Sequence, residues 1–265
     1  MCWSADDGTR HCRDRAHLEG LALDQLAPDR QNDRPDVAWR ADSSNAPFDL
    51  YRALHEAIAS EAVALILEAR GDEADTTTAL LTIAGRREDT RLDSLDWRMK
   101  APASLARKLA TKATVQARSS SQLSEIGARL EDIIRYTLVI GQHDDLVAGA
   151  AHAIAAVEQR GMRVTAIESS YFPGNPYKGL HVLTETVEGR RFELQIHSES
   201  SIRMKSRAHS LYEITRDATV ARAERADAHR RLLELYEELE TPRGLGSELA
   251  AHPVLPKHYP ARRSS

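Results

Sequence analysis

The sequence predicts an α+β fold, a mixed β-sheet flanked by helices, on three observations. Residues Ile133-Ile134-Arg135-Tyr136-Thr137-Leu138-Val139-Ile140 are β-branched and aromatic enough to form a central strand. Residues 144–159 place Leu146, Val147, Ala150, Ile154 and Val157 on one helical face, with Gly161 as the stop. Phe192-Glu193-Leu194-Gln195-Ile196-His197 alternates apolar and polar residues without a break. As a strand, this run puts Glu193, Gln195 and His197 on one face and buries Phe192, Leu194 and Ile196 on the other.

The remaining elements follow in chain order. Residues 1–45 are rich in Asp, Arg, Asn and Ser with little apolar periodicity, a composition expected to order poorly. From Pro47 to Arg70, Phe48, Tyr51, Leu54, Ile58, Ala62 and Leu65 recur at helical spacing, with Pro47 in the first turn and Gly71 as a stop. A second helical stretch is expected near 76–87, then an acidic, exposed segment up to Asp96. Trp97-Arg98-Met99-Lys100 is expected to form a short strand with Arg98 and Lys100 pointing the same way, and Pro102 opens a helix. After the 144–159 helix, 163–167 and 182–187 are further strands, and Glu188-Gly189 is the turn before the alternating strand. Residues 201–212 read as a helix, with Lys205, His209 and Tyr212 on one stripe, and 218–241 as an amphipathic helix expected to pack within the chain. The order is β, α, β, α, β, β, β, α, and no GxGxxG follows any strand, which excludes a Rossmann reading. The expected divisions are an extension (1–45), a helical part (46–92), a core (93–217), and a C-terminal helix and tail (218–265).

At 265 residues and a net charge of −4, the chain is long enough for a full core and carries no global field for nucleic acid or membrane. The longest apolar run, Ala62 to Leu67, is too short to span a bilayer, and Met1 to Arg10 lacks the apolar core of a secretory signal. No membrane association and a cytoplasmic location are therefore expected. Cys2 and Cys12 are too few and too peripheral for a disulfide framework, and with His11 and His17 they match no zinc spacing.

Local charge is more informative than the total. From Trp97 to Ser124 there is no Asp or Glu, while Arg98, Lys100, Arg107, Lys108, Lys112 and Arg118 are basic. Ser104, Lys108 and Lys112 share a stripe of the helix that Pro102 opens, so side-chain cations and the helix N-terminus could converge on one anion. The alternative is a solvated basic face. No GxxxxGK[ST] occurs, so this is not a Walker loop. Asp132 at a strand entry and Glu193 inside a later strand supply two acids. Mg²⁺ takes one or two carboxylates together with substrate phosphate oxygens and water, so acids plus cations predict a phosphoryl-transfer site. Glu193 could accept a proton from an attacking hydroxyl, and Tyr177 offers a face for a purine.

In this order and context, Arg98-x-Lys100, Ser104, Lys108, Asp132, Tyr177-x-x-x-His181, Glu193-x-Gln195 and His209 resemble the RelA/SpoT-type (p)ppGpp synthetase, or pyrophosphokinase, domain. The resemblance runs from about Asp93 to Arg216 and points to the small, toxin-like branch. It implies the nucleotidyltransferase-like synthetase fold of that family. It also implies that Arg98, Lys100, Ser104 and Lys108 bind ATP, and that Asp132 and Glu193 serve Mg²⁺ and catalysis. Tyr177, His181, Gln195, His197 and His209 then line the acceptor side. The implied reaction moves the ATP β,γ-pyrophosphate to a ribose 3′-hydroxyl and releases AMP, with GDP or GTP as acceptor and adenine nucleotides or the tRNA 3′ end as alternatives. A homo-oligomer or a neutralising partner is implied as well.

The chain departs from the family on the acceptor side. Pro176-Tyr177-Lys178-Gly179-Leu180-His181 stands where Gly-Tyr-x-Ser-x-His is usual, and His197 stands where Arg is common. The family's hydrolase half is not expected here, and His143-Asp144-Asp145 is expected to cap a helix. Two competing classes are a non-catalytic nucleotide- or RNA-binding module and a nucleotidyltransferase, the latter needing an Asp-x-Asp pair that no expected strand carries.

Overall fold

A computed structural model of the chain describes residues 15–28, 46–116, 120–217 and 219–259. Cys2, His11, Cys12 and Arg118 lie outside the described residues. The chain divides into two compact units, one formed by Met1–Thr78, Ser94–Arg135 and Arg190–Phe192, the other by Ala79–Asp93, Tyr136–Gly189 and Glu193–Ser265.

The first unit is helical. Its elements are α1 (Arg15–Glu19), α2 (Pro47–Ala53), most of α3 (Glu56–Ala84), α4 (Pro102–Gln116) and α5 (Ser120–Ala128). Part of the stretch expected to order poorly is thus built: α1 buries Leu18, and a 3₁₀ turn at Leu23–Leu26 buries Leu26. The expected Pro47–Arg70 helix is two helices, broken at Leu54, whose backbone is extended. Gly71 does not stop α3, which runs on through it. A helix-ending glycine needs a left-handed backbone, which Gly71 does not adopt, and a mid-helix Gly costs only about 1 kcal/mol relative to Ala. Ala59, Ala62, Val63 and Ile66 of α3 and Leu105, Ala106 and Leu109 of α4 are fully or almost fully buried in this unit.

The expected strand at Trp97–Lys100 is absent as such. Leu95–Trp97 is a 3₁₀ turn, Arg98 is in the helical region, and only Met99 bridges to Ile134. Arg98 and Lys100 consequently do not alternate as strand neighbours. The Arg98 guanidinium instead donates to Glu73 of α3, which also accepts from Thr77, and to the Leu95 carbonyl at 2.7 Å.

The second unit is built on a mixed sheet. Its strands are β1 (Thr90–Asp93), β2 (Ile134–Ile140), β3 (Arg163–Ser169), β4 (Leu180–Glu185), β5 (Arg191–Ser198), β6 (Glu248–Leu249) and β7 (His252–Pro256), in the order β1-β2-β5-β4-β3-β7-β6. β1 pairs antiparallel with β2, and β3 antiparallel with β4; β3 and β7 are parallel. β1 lies in the acidic segment expected to be exposed, and as the edge strand it is only half-buried at most positions. The turn between β4 and β5 uses Gly189 at φ +79°, a left-handed backbone that a side chain would strain.

Helices α6 (Leu146–Glu158), α7 (Glu199–Arg216) and α8 (Arg222–Glu237) complete this unit. α6 comes close to β2: a Cβ on Gly149 would meet Ile140 Cδ1 at 2.9 Å, so only glycine permits that approach. Asp145, expected to cap α6 with its neighbours, makes no side-chain cap there. His143 bonds Ser198 Oγ (2.7 Å) and the Glu240 carbonyl (2.9 Å) instead. α8 packs on α7 and buries Ala228, Leu232 and Tyr236, as its amphipathic pattern predicts.

Candidate functional site

In the first unit, α4 starts at Pro102 and turns Lys108 toward the segment that enters β2. Lys108 Nζ donates to Asp132 Oδ1 (2.5 Å) and Lys100 Nζ to Asp132 Oδ2 (3.0 Å), so each carboxylate oxygen carries one ammonium. The Asp132 side chain is 20% exposed. Burial alone would push its carboxyl up, but the two ammonium groups outweigh that and hold it well below the usual carboxylate range. Burial also pulls Lys100 below its ordinary value, against the effect of Asp132. Ser104, one turn before Lys108, accepts from Arg107 at 3.0 Å, and Arg107 and Lys112 are exposed. Arg98 is not part of this cluster; its side chain is 5% exposed and ion-paired with Glu73. What the unit assembles is thus Lys100, Lys108 and Asp132, with Ser104 one turn before Lys108 on α4 and bonded to Arg107. Two ammonium groups that meet on one carboxylate can equally meet on a phosphate oxygen.

In the second unit, β5 keeps the expected alternation, yet its polar face is not solvated. Glu193 and Gln195 are 6% exposed and His197 is 0% exposed. Three polar side chains buried in a row must find partners or cost several kcal/mol, and each has one. His181 of β4 places Nδ1 2.6 Å from Glu193 Oε1. Gln195 donates to Glu193 Oε2 at 3.3 Å and accepts from Lys205 of α7 at 3.4 Å. His197 sits between Tyr177 Oη (2.7 Å to Nε2) and Ser201 Oγ (3.0 Å to Nδ1). Ser201 is held in turn by the capping box that starts α7 at Ser198. Burial holds His181 below its ordinary pKa, so the ring is neutral near pH 7.

The loop before β4 delivers Tyr177, half-buried. Its ring lies among those of His181 (5.7 Å between centroids), His197 (5.7 Å), Tyr236 (6.1 Å) and Tyr259 (5.4 Å). Gly179 is required beneath it, because a Cβ there would meet His197 Cε1 at 2.9 Å and Tyr177 Oη at 3.0 Å. Gly179→Ala is therefore expected to force the Tyr177–His197 pair apart and to cost about 1–3 kcal/mol, read as a lower urea midpoint. An unchanged midpoint would mean that the pair tolerates the methyl group. His209 is exposed on α7 and stands apart from this group, as does Tyr212, which is 48% exposed.

The residues that sequence reasoning missed are Lys257 and Tyr259, just past β7. Lys257 Nζ pairs with Glu168 (2.6 Å) and lies 3.7 Å from Glu193 Oε1, and Tyr259 Oη is 3.2 Å from His181 Nε2. Their segment reads as tail, since the two prolines of His-Pro-Val-Leu-Pro argue against a strand. Its pairing with β3 is a tertiary fact with no local signal. Among the described residues no group of three or more His, Cys, Asp and Glu could hold a metal, so neither unit offers an all-protein cage. Asp132 and Glu193 are the donor class that Mg²⁺ uses when phosphates and water supply its remaining ligands.

Several solved structures are similar to this chain. The small alarmone synthetase 1 from Bacillus subtilis shares 15% identity over 64% of this chain and 84% of its own, at a TM-score of 0.41. A GTP pyrophosphokinase family protein from Streptococcus pneumoniae shares 17% over 65% and 86%, at 0.39. The Type VI effector Tas1, solved in complex with its immunity protein, shares 17% over 64% and 91%, at 0.38. No family model matches the chain, and no curated protein does. At TM-scores under 0.5 these overlaps carry no argument, and the functional reading rests on the chain's own residues.

Proposed function

We propose that this chain transfers the β,γ-pyrophosphate of ATP to a ribose 3′-hydroxyl, with GDP or GTP as acceptor, and releases AMP. The observation that carries this reading is Glu193: a carboxylate 6% exposed in the middle of a strand, fixed by His181 and Gln195. Burying a carboxylate carries a desolvation cost that hydrogen-bond partners only offset, so an acid kept at this depth is a candidate for chemistry.

In the proposed step, Glu193 accepts the proton of the 3′-hydroxyl while O3′ bonds to Pβ. The bond from Pβ to the oxygen bridging it to Pα breaks, and AMP leaves with that oxygen. Lys100 and Lys108 would exchange their carboxylate for phosphate oxygens and offset the charge that spreads over the transferred group. Mg²⁺ would supply further charge neutralisation, with the Asp132 and Glu193 carboxylates each a candidate ligand. Tyr177, held by His197, would orient the acceptor base. Ser104 would support the phosphates from the first turns of α4. Arg98 enters this proposal only as the partner of Glu73. A protein partner that silences the chain fits the same reading, because unopposed turnover drains ATP.

The test uses ATP labelled at the γ-phosphate, incubated separately with GDP, GTP, ATP and tRNA. The expected result is AMP formed in step with a labelled product whose pyrophosphate sits at the 3′ position, with GDP or GTP the best acceptor. Labelled pyrophosphate released free, with AMP added to a second molecule, would instead indicate nucleotidyl transfer. ATP binding without AMP would indicate a silent binding module.

A further inference from the structure

We infer that Tyr259, on the segment that follows β7, is a positioning residue for Glu193: its hydroxyl holds one nitrogen of His181 while the other holds the Glu193 carboxylate. The inference rests on the reading of Glu193 as the proton acceptor.

The segment is fastened in place by its backbone. Lys257 N donates to the Ser169 carbonyl (2.8 Å) at the end of β3. Asn175, 4% exposed, donates through Nδ2 to the Lys257 carbonyl (2.9 Å) and accepts at Oδ1 from Tyr259 N (3.1 Å). The same Nδ2 donates to the Ser170 carbonyl (3.0 Å), so one buried amide ties the loop that carries Tyr177 to the segment that carries Tyr259. The His258 ring stacks on Phe172 at 5.4 Å and an interplanar angle of 26°. Tyr259 is thus placed by the end of β3 and by Phe172 and Asn175 of the β3–β4 connection.

Chemistry sets the direction of the chain of bonds. A carboxylate only accepts, so His181 Nδ1 carries the hydrogen that points at Glu193 Oε1. The phenol of Tyr259 is the partner at the other nitrogen, 3.2 Å from Nε2, and donates to it when that nitrogen carries no hydrogen. His181 is 1% exposed, so bulk water does not reach Nε2 in place of the phenol. The order is Tyr259 O–H to His181 to Glu193: a group outside the reacting atoms orients the one that orients the acid. Lys257 adds a cation 3.7 Å from the same carboxylate. The Tyr259 ring also packs edge-on to Tyr177 (69°), so a phenylalanine would keep the packing and lose only the donor.

The experiment compares the full-length protein with its Tyr259→Phe variant by AMP release and by ¹⁵N NMR of the His181 ring. The expected result is a fall in kcat of about 10-fold, as is usual when an outer orienting partner is lost, with KM for ATP unchanged and the thermal midpoint lowered by the partner that His181 Nε2 loses. The His181 Nε2 resonance should move toward that of a nitrogen without a hydrogen bond, while Nδ1 stays protonated. Unchanged kcat overturns the inference, and so does an unmoved Nε2 resonance. A raised kcat overturns it too, and would make the segment an obstruction to the acceptor. Should the parent protein release no AMP with any acceptor, pyrophosphate transfer fails as a reading. The nitrogen resonance then decides Tyr259 alone, and an unmoved one overturns its role.

Discussion

Glu193→Gln is expected to lower AMP release by about 10³-fold in kcat, the scale of a lost general base, and to leave ATP affinity within about twofold. Gln matches Glu in shape and retains an oxygen that can accept from His181 Nδ1, so the 2.6 Å bond is kept and the variant should fold, while the longer bond from Gln195 is lost because an amide NH₂ does not accept. What disappears is the negative charge and the capacity to take a proton. Calorimetric titration with ATP and quantified AMP formation separate the two effects. A variant that still releases AMP within tenfold of the parent would remove Glu193 from the chemistry and leave the buried row as a structural polar cluster. Loss of ATP binding together with AMP release would place Glu193 on the donor instead.

Glu73→Ala is expected to destabilise the first unit by about 3–5 kcal/mol, because it strips the carboxylate from a guanidinium that remains buried. The Arg98 and Glu73 side chains are 5% and 2% exposed, and Glu73 also accepts from Thr77 one turn on in α3. Replacing both partners, as in Glu73→Leu with Arg98→Met, should restore most of the loss, since two apolar groups of similar volume need no counter-charge. Urea unfolding of the three proteins measures this. A loss under about 1 kcal/mol in the single variant would mean that Arg98 finds another partner and is not tied to Glu73. The pair also bears on function. Arg98→Met should lower stability as Glu73→Ala does, whereas a fall in ATP affinity at unchanged stability would return Arg98 to the phosphate side.

Short-range patterns carried well from sequence to structure. The β-branched run at 134–140, the apolar stripe of α6 and the alternation of β5 are each set by neighbours within a few residues, and each forms where the periodicity places it. The Lys100, Lys108 and Asp132 grouping was legible in part, because Lys100 and Lys108 stand in a run free of acids. What misled was punctuation and pairing. Gly71 looks like a stop, yet a glycine ends a helix only where the following chain turns left-handed, which tertiary packing decides. Arg98 looks like a strand neighbour of Lys100, yet a buried acid far upstream in the chain claims it.

The sequence by itself determined the α+β class, the segments that form most strands and helices, and the residue types available for phosphate and proton chemistry. All of these follow from periodicity and composition along the chain. Only the tertiary structure decided that the polar face of β5 is buried rather than wet, that Arg98 is spent on Glu73, and that Lys257 and Tyr259 reach Glu193 and His181. Those outcomes depend on which groups lose their water when distant segments meet. The cost of leaving a polar group without water or a partner is set by that meeting, and no local pattern records it.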